Sequence, residues 1–345
     1  RSCLCEKGES AMKKHGRDWA AAAACLLLVG GLGTVSLFVG SFPLSLSQIG
    51  SILTGGMEGT LEAQVFWQLR FPRMCMGLLA GWALGLAGGV YQTVFRNPLA
   101  SPDLTGVASG ASLGAACAIV LGAGTRLEIM GGSFLMGMAA LALVLLLVGA
   151  ARLERTGSYI LAGVIVSSLA EAGLMTLKVM ADPERELAAI EVWTMGSLSA
   201  MTADKLPLPA AAVVLCTVAL LLLRRPILML SLGDEQARSL GLDPVFWRGV
   251  LLTLTTLMVA AVVSVLGAVA FVGLIGPHIA RLLLGRRGGP YLPMCGLVGG
   301  AVLLCADLPA RVYTLPLSIF TVLLAVPVLA ALLWRRKEGT YGDDA

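Results

Sequence analysis

GVLLTLTTLMVAAVVSVLGAVAFVGLIGPHIA, residues 249–280, carries no formal charge from end to end. At 1.5 Å per residue, one helix of that length runs well past the ~30 Å of a bilayer's hydrocarbon core. Arg248 stands directly before it and Arg281 directly after, with Arg286 and Arg287 close behind. Arginines flanking a span collect on the cytoplasmic side, so both ends of this stretch belong on one side and the chain must cross twice within it. The expectation is one ordinary span and one short one, with the turn near Gly267 and with Gly276–Pro277 breaking the second.

Charge-free apolar runs at 19–40, 74–95, 104–125, 129–151, 206–223, 288–306 and 312–334 are each long enough to cross. The run 156–180 reads as a span although it holds Glu171 and Lys178, which brings the expected number to ten. With the N-terminus inside, the inner segments collect eighteen of the 25 lysines and arginines, from Arg1 to Lys337. The outer ones hold only Arg70, Arg73, Arg126, Lys178, Arg185, Lys205 and Arg311. That asymmetry fixes the expected orientation. The run 19–40 is read as the first helix rather than a cleaved signal, since more spans follow and no small-residue cleavage site is evident.

Composition agrees. At 57% hydrophobic and 13% charged residues, with mean hydropathy +0.86, the chain lies outside the globular range. Its 42 glycines suit close-packed membrane helices. Six of the eight cysteines sit in apolar surroundings and read as small core residues. Cys3 and Cys5 could chelate a metal, but His15 and His278 are the only histidines, which excludes a histidine-rich centre.

Against this apolar background SLGDEQARSLGLDP, residues 231–244, is polar and helix-forming, and Arg224, Arg225 and Arg248 place it in the cytoplasm. Ser231 with Asp234 reads as a capping box, and Gly241 as a left-handed stop. Asp243–Pro244 reads as a second N-cap with proline at the first helical position. Two small helices docked on the inner face would suit reception of another protein. RNPLASPDLTG at 96–106 reads as an inner loop whose Asp103 N-caps the next helix. His278 is expected to bond a nearby loop or backbone carbonyl, or else to face the partner protein.

RFPRMCMGLLAGWALGLAGGVYQTVFRNPLASPDLTGVASGASLG at 70–114 resembles the hallmark of the FecCD family, the permeases of bacterial ABC importers for iron-siderophores, haem and cobalamin. SLGDEQARSLGLDP and GAVAFVGLIGPHIARLLLG at 267–285 repeat the match, and the likeness covers roughly 60–340. The resemblance implies an all-α subunit of about ten transmembrane helices, with a permease domain at 19–335 between cytoplasmic tails at 1–18 and 336–345. It implies a homodimer in the inner membrane, two cytoplasmic ATPase subunits and an external substrate-binding protein. By this likeness the loop 231–246 carries coupling helices, with Ser231, Gly233, Asp234, Glu235, Arg238, Gly241, Asp243 and Pro244 as the ATPase-coupling set. Arg70, Arg73 and Arg311, in the RxPR and DLxAR motifs, would form salt bridges with glutamates on the binding protein's two lobes. The family pattern lapses near the C-terminus, where Thr314 precedes Leu315–Pro316 and AVPVLAALL fills 325–333.

Glu171 draws notice on physical grounds alone, because a mid-span carboxylate must be paired, protonated or in contact with water. Lys178 lies on the same helical face but too far along for an i,i+4 pair. Either Glu171 braces a neighbouring helix, or it lines the pathway that the family's central cavity implies. No Gly-Lys-Ser or Gly-Lys-Thr triplet is present, so no phosphate-binding loop exists here. ATP and its Mg²⁺ would belong to a partner, and this chain is expected to hold no cofactor, to have no metal site and to be no enzyme. The expected cargo is an iron chelate, a ferric siderophore first, with haem or cobalamin next. An ion-driven secondary transporter using Glu171 as a proton relay is the competing reading; a membrane enzyme lacks any cluster of nucleophile, base or ligands.

The orientation is testable by single-cysteine labelling in a cysteine-free background. A cysteine at Gln236 should react with impermeant maleimide only from the cytoplasm, and one at Glu184 only from outside; both reacting from one face would refute the alternation.

Overall fold

The computed structural model describes residues 2–40, 42, 44–57, 59–122, 124–151, 156–284 and 290–340, with the side chains of 2–17, 156, 332, 333 and 335–340 outside the described set. Cys3, Cys5, His15 and most terminal basic residues thus fall outside the described side chains, and Arg152, Arg155, Arg286 and Arg287 outside the described residues. Every regular element described is helical. In hydrocarbon no water satisfies the backbone, so each crossing segment must bond its own N–H and C=O groups, as only a helix does within one segment.

In chain order the helices are α1 (Ser2–Phe38), α2 (Leu46–Leu53), α3 (Leu61–Val65), α4 (Phe71–Val94), α5 (Val107–Val120), α6 (Arg126–Ala150), α7 (Thr156–Met180) and α8 (Glu186–Thr194). They continue with α9 (Pro207–Leu222), α10 (Arg224–Leu232), α11 (Asp234–Ser239), α12 (Pro244–Leu266), α13 (Val272–Leu284), α14 (Tyr291–Tyr313) and α15 (Leu317–Thr340). Among the described residues seven helices are long and apolar enough to cross a membrane, and 107–120, 272–284 and 317–331 are shorter apolar helices. The expected tail and first span form one continuous helix, α1, and α15 likewise runs through the expected boundary at 335.

A π-turn, Phe66–Arg70, joins α3 to α4, with Phe71 N–H bonded to Phe66 O. Pro72 follows at the start of α4. It offers no N–H to the turn before it and its ring needs room there, so the wider turn answers both demands. Asp103 is not an N-cap as expected: it lies within a 3₁₀ turn, Pro102–Thr105, and left-handed Gly106 precedes α5.

α4, α12 and α14 form the centre, with 72%, 67% and 78% of their most apolar stretches buried, against 22–33% for α1, α6, α7 and α9. Membrane helices gain little from hydrophobic transfer against one another and rely on close approach through small residues. A Cβ on Gly81 would lie 2.3 Å from the Gly299 carbonyl, and one on Gly85 2.2 Å from that of Cys295. At these two crossings α4 and α14 touch backbone to backbone.

The turn expected near Gly267 is present: Gly267 (φ 81) ends α12, an irregular stretch follows, and Phe271 (φ 66) leads into α13. Irregular backbone at membrane depth must be covered by protein. Ser197 N–H donates to Leu266 O at 2.7 Å, Leu317 N–H to Gly196 O at 3.0 Å, and the Ser318 hydroxyl to Ala268 O at 3.1 Å. The expected break at Gly276–Pro277 is absent, because α13 passes through Pro277. Proline withholds the N–H that the Gly273 carbonyl would accept. That carbonyl lies 1.7 Å from where a Cβ on Gly88 would stand, so α4 closes directly over it.

Gly85→Ala and Gly88→Ala should each force α4 off its neighbours and cost more than the usual ~1–3 kcal/mol of overpacking. Gly131→Ala, with nothing within 4 Å of its new methyl, should be neutral or stabilising by up to about 1 kcal/mol. Thermal unfolding in detergent, followed by a thiol-reactive dye, ranks the three; equal midpoints would contradict the packing account.

Candidate functional site

Three groups of sequence-marked residues are brought together at different heights. At the end expected to face the cytoplasm, α10 and α11 are separated by Gly233 (φ 120), a conformation rarely open to a side chain. A Cβ there would also stand 2.9 Å from an Arg96 terminal nitrogen. The expected capping box fails. Ser231 belongs to the last turn of α10 and donates to Leu228 O at 2.6 Å, while α11 starts at Asp234 with no side-chain cap. The left-handed stop holds, with Gly241 at φ 81. Leu242 N–H reaches Ala237 O at 3.0 Å and Gly241 N–H reaches Arg238 O at 2.9 Å, the paired bonds of a Schellman stop. Asp243 accepts from Val245 and Phe246 N–H with Pro244 next, as expected. That cap opens the long helix α12, not a second small one, so the short pair is α10 and α11.

Asp234 reaches inward to Arg248 at 2.7 Å, and Arg248 is completely buried. Its guanidinium lies 5.4 Å from the centre of the Tyr159 ring of α7. Arg96, the left-handed residue after α4, donates to Leu232 O at 3.4 Å. Arg96, Gly157 and residues 232–236 line a cavity of about 520 Å³. Glu235, Gln236 and Arg238 are exposed beside it. Sequence reasoning took Arg96 and Arg248 for topology markers and passed over Tyr159. The available signal was that an arginine one turn inside an apolar helix must find an acid, and Asp243, Glu235 and Asp234 are the nearest in sequence.

At the end expected to face outward, Arg70, Arg73 and Arg311 do converge, but on each other's surroundings rather than on an exposed rim. Asp307, 1% exposed, takes Arg73 at 2.7 Å and Arg311 at 2.7 Å. Arg311 also donates to Ser36 O at 2.6 Å and Val39 O at 2.9 Å, and Arg70 to Leu37 O and Phe42 O. The last carbonyls of a helix lack donors and carry its negative dipole end; two guanidiniums supply that need for α1. Arg70 and Arg311 are buried and Arg73 is half-buried. All three line a cavity of about 240 Å³ together with Ser199 and Met201.

Glu171 is exposed on α7 and accepts a 3.3 Å bond from the Ser109 hydroxyl of α5. Lys178 pairs instead with Glu191 of α8 at 2.8 Å. His278 bonds Leu274 O at 2.9 Å within its own helix, with Gln92 at 3.3 Å; the backbone-carbonyl expectation holds. Among the described residues no group of three or more His, Cys, Asp or Glu is placed to hold a metal.

A family model described as the FecCD transport family matches residues 26–335. The molybdate import system permease protein MolB of Haemophilus influenzae is 34% identical over 316 residues, 90% of this chain and 94% of that protein. The vitamin B12 import system permease protein BtuC of Klebsiella pneumoniae is 37% identical over 282 residues, 80% and 84% of the two chains. A solved inward-facing structure, provisionally assigned to the metal-chelate type of ABC transporter, superposes with TM-score 0.82 at 32% identity over 90% of this chain and 98% of its own.

Asp307→Ala should leave two guanidiniums without their carboxylate and cost roughly 3–5 kcal/mol, the usual penalty for breaking a buried ion pair from one side. Arg185→Ala, an exposed outer position, should stay within about 0.5 kcal/mol. Unfolding midpoints in detergent decide; similar losses would show that the outer cluster does not brace the fold.

Proposed function

The chain belongs to the FecCD transport family, and from that premise we propose that it is the permease subunit of an ATP-driven importer for a metal chelate. Two copies would enclose the pathway, with all ten apolar helices crossing and both termini cytoplasmic. Two ATPase subunits would bind the inner face, and a substrate-binding protein would deliver cargo outside. The observation that carries the reading is the inner helix pair α10–α11. It is a polar surface with exposed Glu235, Gln236 and Arg238, ended by a Schellman stop and rooted by the buried Arg248. A transporter driven by ions alone has no need of such a receptor surface.

Glu171 bears on the cargo. An exposed mid-span acid facing hydrocarbon is costly, so a place on a watered pathway suits it, and two copies would put two carboxylates there. Such a lining repels small free oxyanions, the charge class of the cargo named for the MolB relative, and admits large neutral or cationic chelates. A ferric siderophore is therefore the first cargo to test, with haem and cobalamin, the latter named for the BtuC relatives, as the alternatives. For docking of the binding protein, Arg73 is the most open of the three outer arginines. An acidic partner side chain would reach it through the outer cavity.

The competing reading, an ion-driven carrier with Glu171 as proton relay, rests on that same exposed carboxylate. Reconstituted vesicles holding the permease, its ATPase and its binding protein separate the two. With ATP and no ion gradient, uptake of a ferric siderophore should proceed, stop with vanadate, and survive Glu171→Gln. Gly241→Val should abolish uptake while the permease still inserts, since a residue forced into the left-handed region costs about 1–2 kcal/mol and loosens the stop at φ 81. Uptake that needs a proton gradient and ignores ATP would overturn the proposal.

A further inference from the structure

Movement at a cytoplasmic helix is useful only if some rigid connection carries it into the membrane helices. Among the described residues, two polar connections that leave the α10–α11 unit can be compared. One is Arg96 to Leu232 O, at 3.4 Å, from an exposed side chain; that length is near the limit of a hydrogen bond. The other is Asp234 to Arg248, at 2.7 Å, with the guanidinium fully buried. A charge-assisted bond sheltered from water is the stiffer of the two.

Arg248 does not end in α12. Its guanidinium faces the Tyr159 ring at 5.4 Å, a cation–π contact strengthened by the absence of water. Tyr159 lies against Phe95 at 6.1 Å and Phe95 against Tyr91 at 5.5 Å. The Tyr91 hydroxyl then meets Thr105 at 3.0 Å. Thr105 closes the 3₁₀ turn against which α7 rests, since a Cβ on Gly163 would fall 1.8 Å from Leu104 O. One continuous contact therefore runs from α11 through Arg248 to the inner end of α7, the helix that bears Glu171.

We infer that Arg248 is the joint through which displacement of the cytoplasmic helix pair reaches α7, with Asp234 as its driven side and the Tyr159 ring as its output. The inference rests on the coupling reading of the 231–244 segment. Arg248 and Tyr159 touch neither cargo nor nucleotide and act by positioning. A merely structural role would hold α11 in place without making α7 follow it.

The test uses the permease–ATPase complex in nanodiscs, with ATP and vanadate as the only ligands. Nitroxide-bearing amino acids at Ser239 and Leu222 report α11, and a pair at Leu161 and Leu222 reports α7; all three positions are exposed. In the parent chain, trapping should shift both distances. With Tyr159→Leu the α11 shift should persist and the α7 shift be lost, while Tyr159→Phe, which keeps the ring, should restore it. Asp234→Asn, close to isosteric, should reduce the α7 shift in the same way, so the inference stays testable if the leucine variant fails to fold. An α7 shift in Tyr159→Leu equal to the parent's would overturn the inference alone, as would its loss in Tyr159→Phe. No α11 shift in the parent chain would instead overturn the coupling reading beneath it.

Discussion

Backbone contact between α4 and α14 is the constraint on which the remaining structure depends. Lipid chains are as apolar as leucine, so helices inside a bilayer gain from packing where they would gain little from transfer. The Gly81–Gly299 and Gly85–Cys295 approaches bring two helices closer than any side chain would allow. α12 and α13 then dress this pair, and α1, α6, α7 and α9 stand outside it with most of their surfaces uncovered. An apolar surface of that extent faces lipid or protein.

Arginine–aspartate pairs gather at the two ends, and each end uses them differently. At one end, Asp307 and the terminal carbonyls of α1 absorb three guanidiniums, which ties α1, α4 and α14 into one unit. At the other end, the Arg248 guanidinium is shared between a short surface helix and an aromatic ring. The Asp307 arrangement is closed on itself and resists movement. The Arg248 one reaches from a surface element to a membrane helix, so any force on the first is felt by the second.

The apolar runs, the turn at Gly267, the stop at Gly241 and the cap at Asp243–Pro244 were legible because each is set by residues adjacent in sequence. Ser231 and Asp234 misled because the same four letters serve equally inside a preceding helix, and α10 extends through Ser231 until Gly233 breaks it. Pro277 misled because α13 runs through it and packs the freed Gly273 carbonyl against Gly88, far away in the chain. The burial of Arg70 and Arg311 was illegible for the same reason: their acceptors lie on α1. Charge sign can be read from a sequence, but what neutralises it across the fold cannot. The role of Glu171 stays with the proposal, since beyond the Ser109 hydroxyl its side chain lies on an exposed face.

The shortness of α13 bears on how the protein is made. Its 13 residues amount to about 20 Å of helix, less than the ~30 Å that a segment must cover to rest in a bilayer alone. It also carries a proline whose orphaned carbonyl is shielded by α4. Such a segment has no stable resting place when it first emerges from the insertion machinery. It must enter as a hairpin with α12 and wait for a surface that was synthesised much earlier. During biogenesis of this chain the α12–α13 hairpin is therefore expected to settle only once the α4 face is in place.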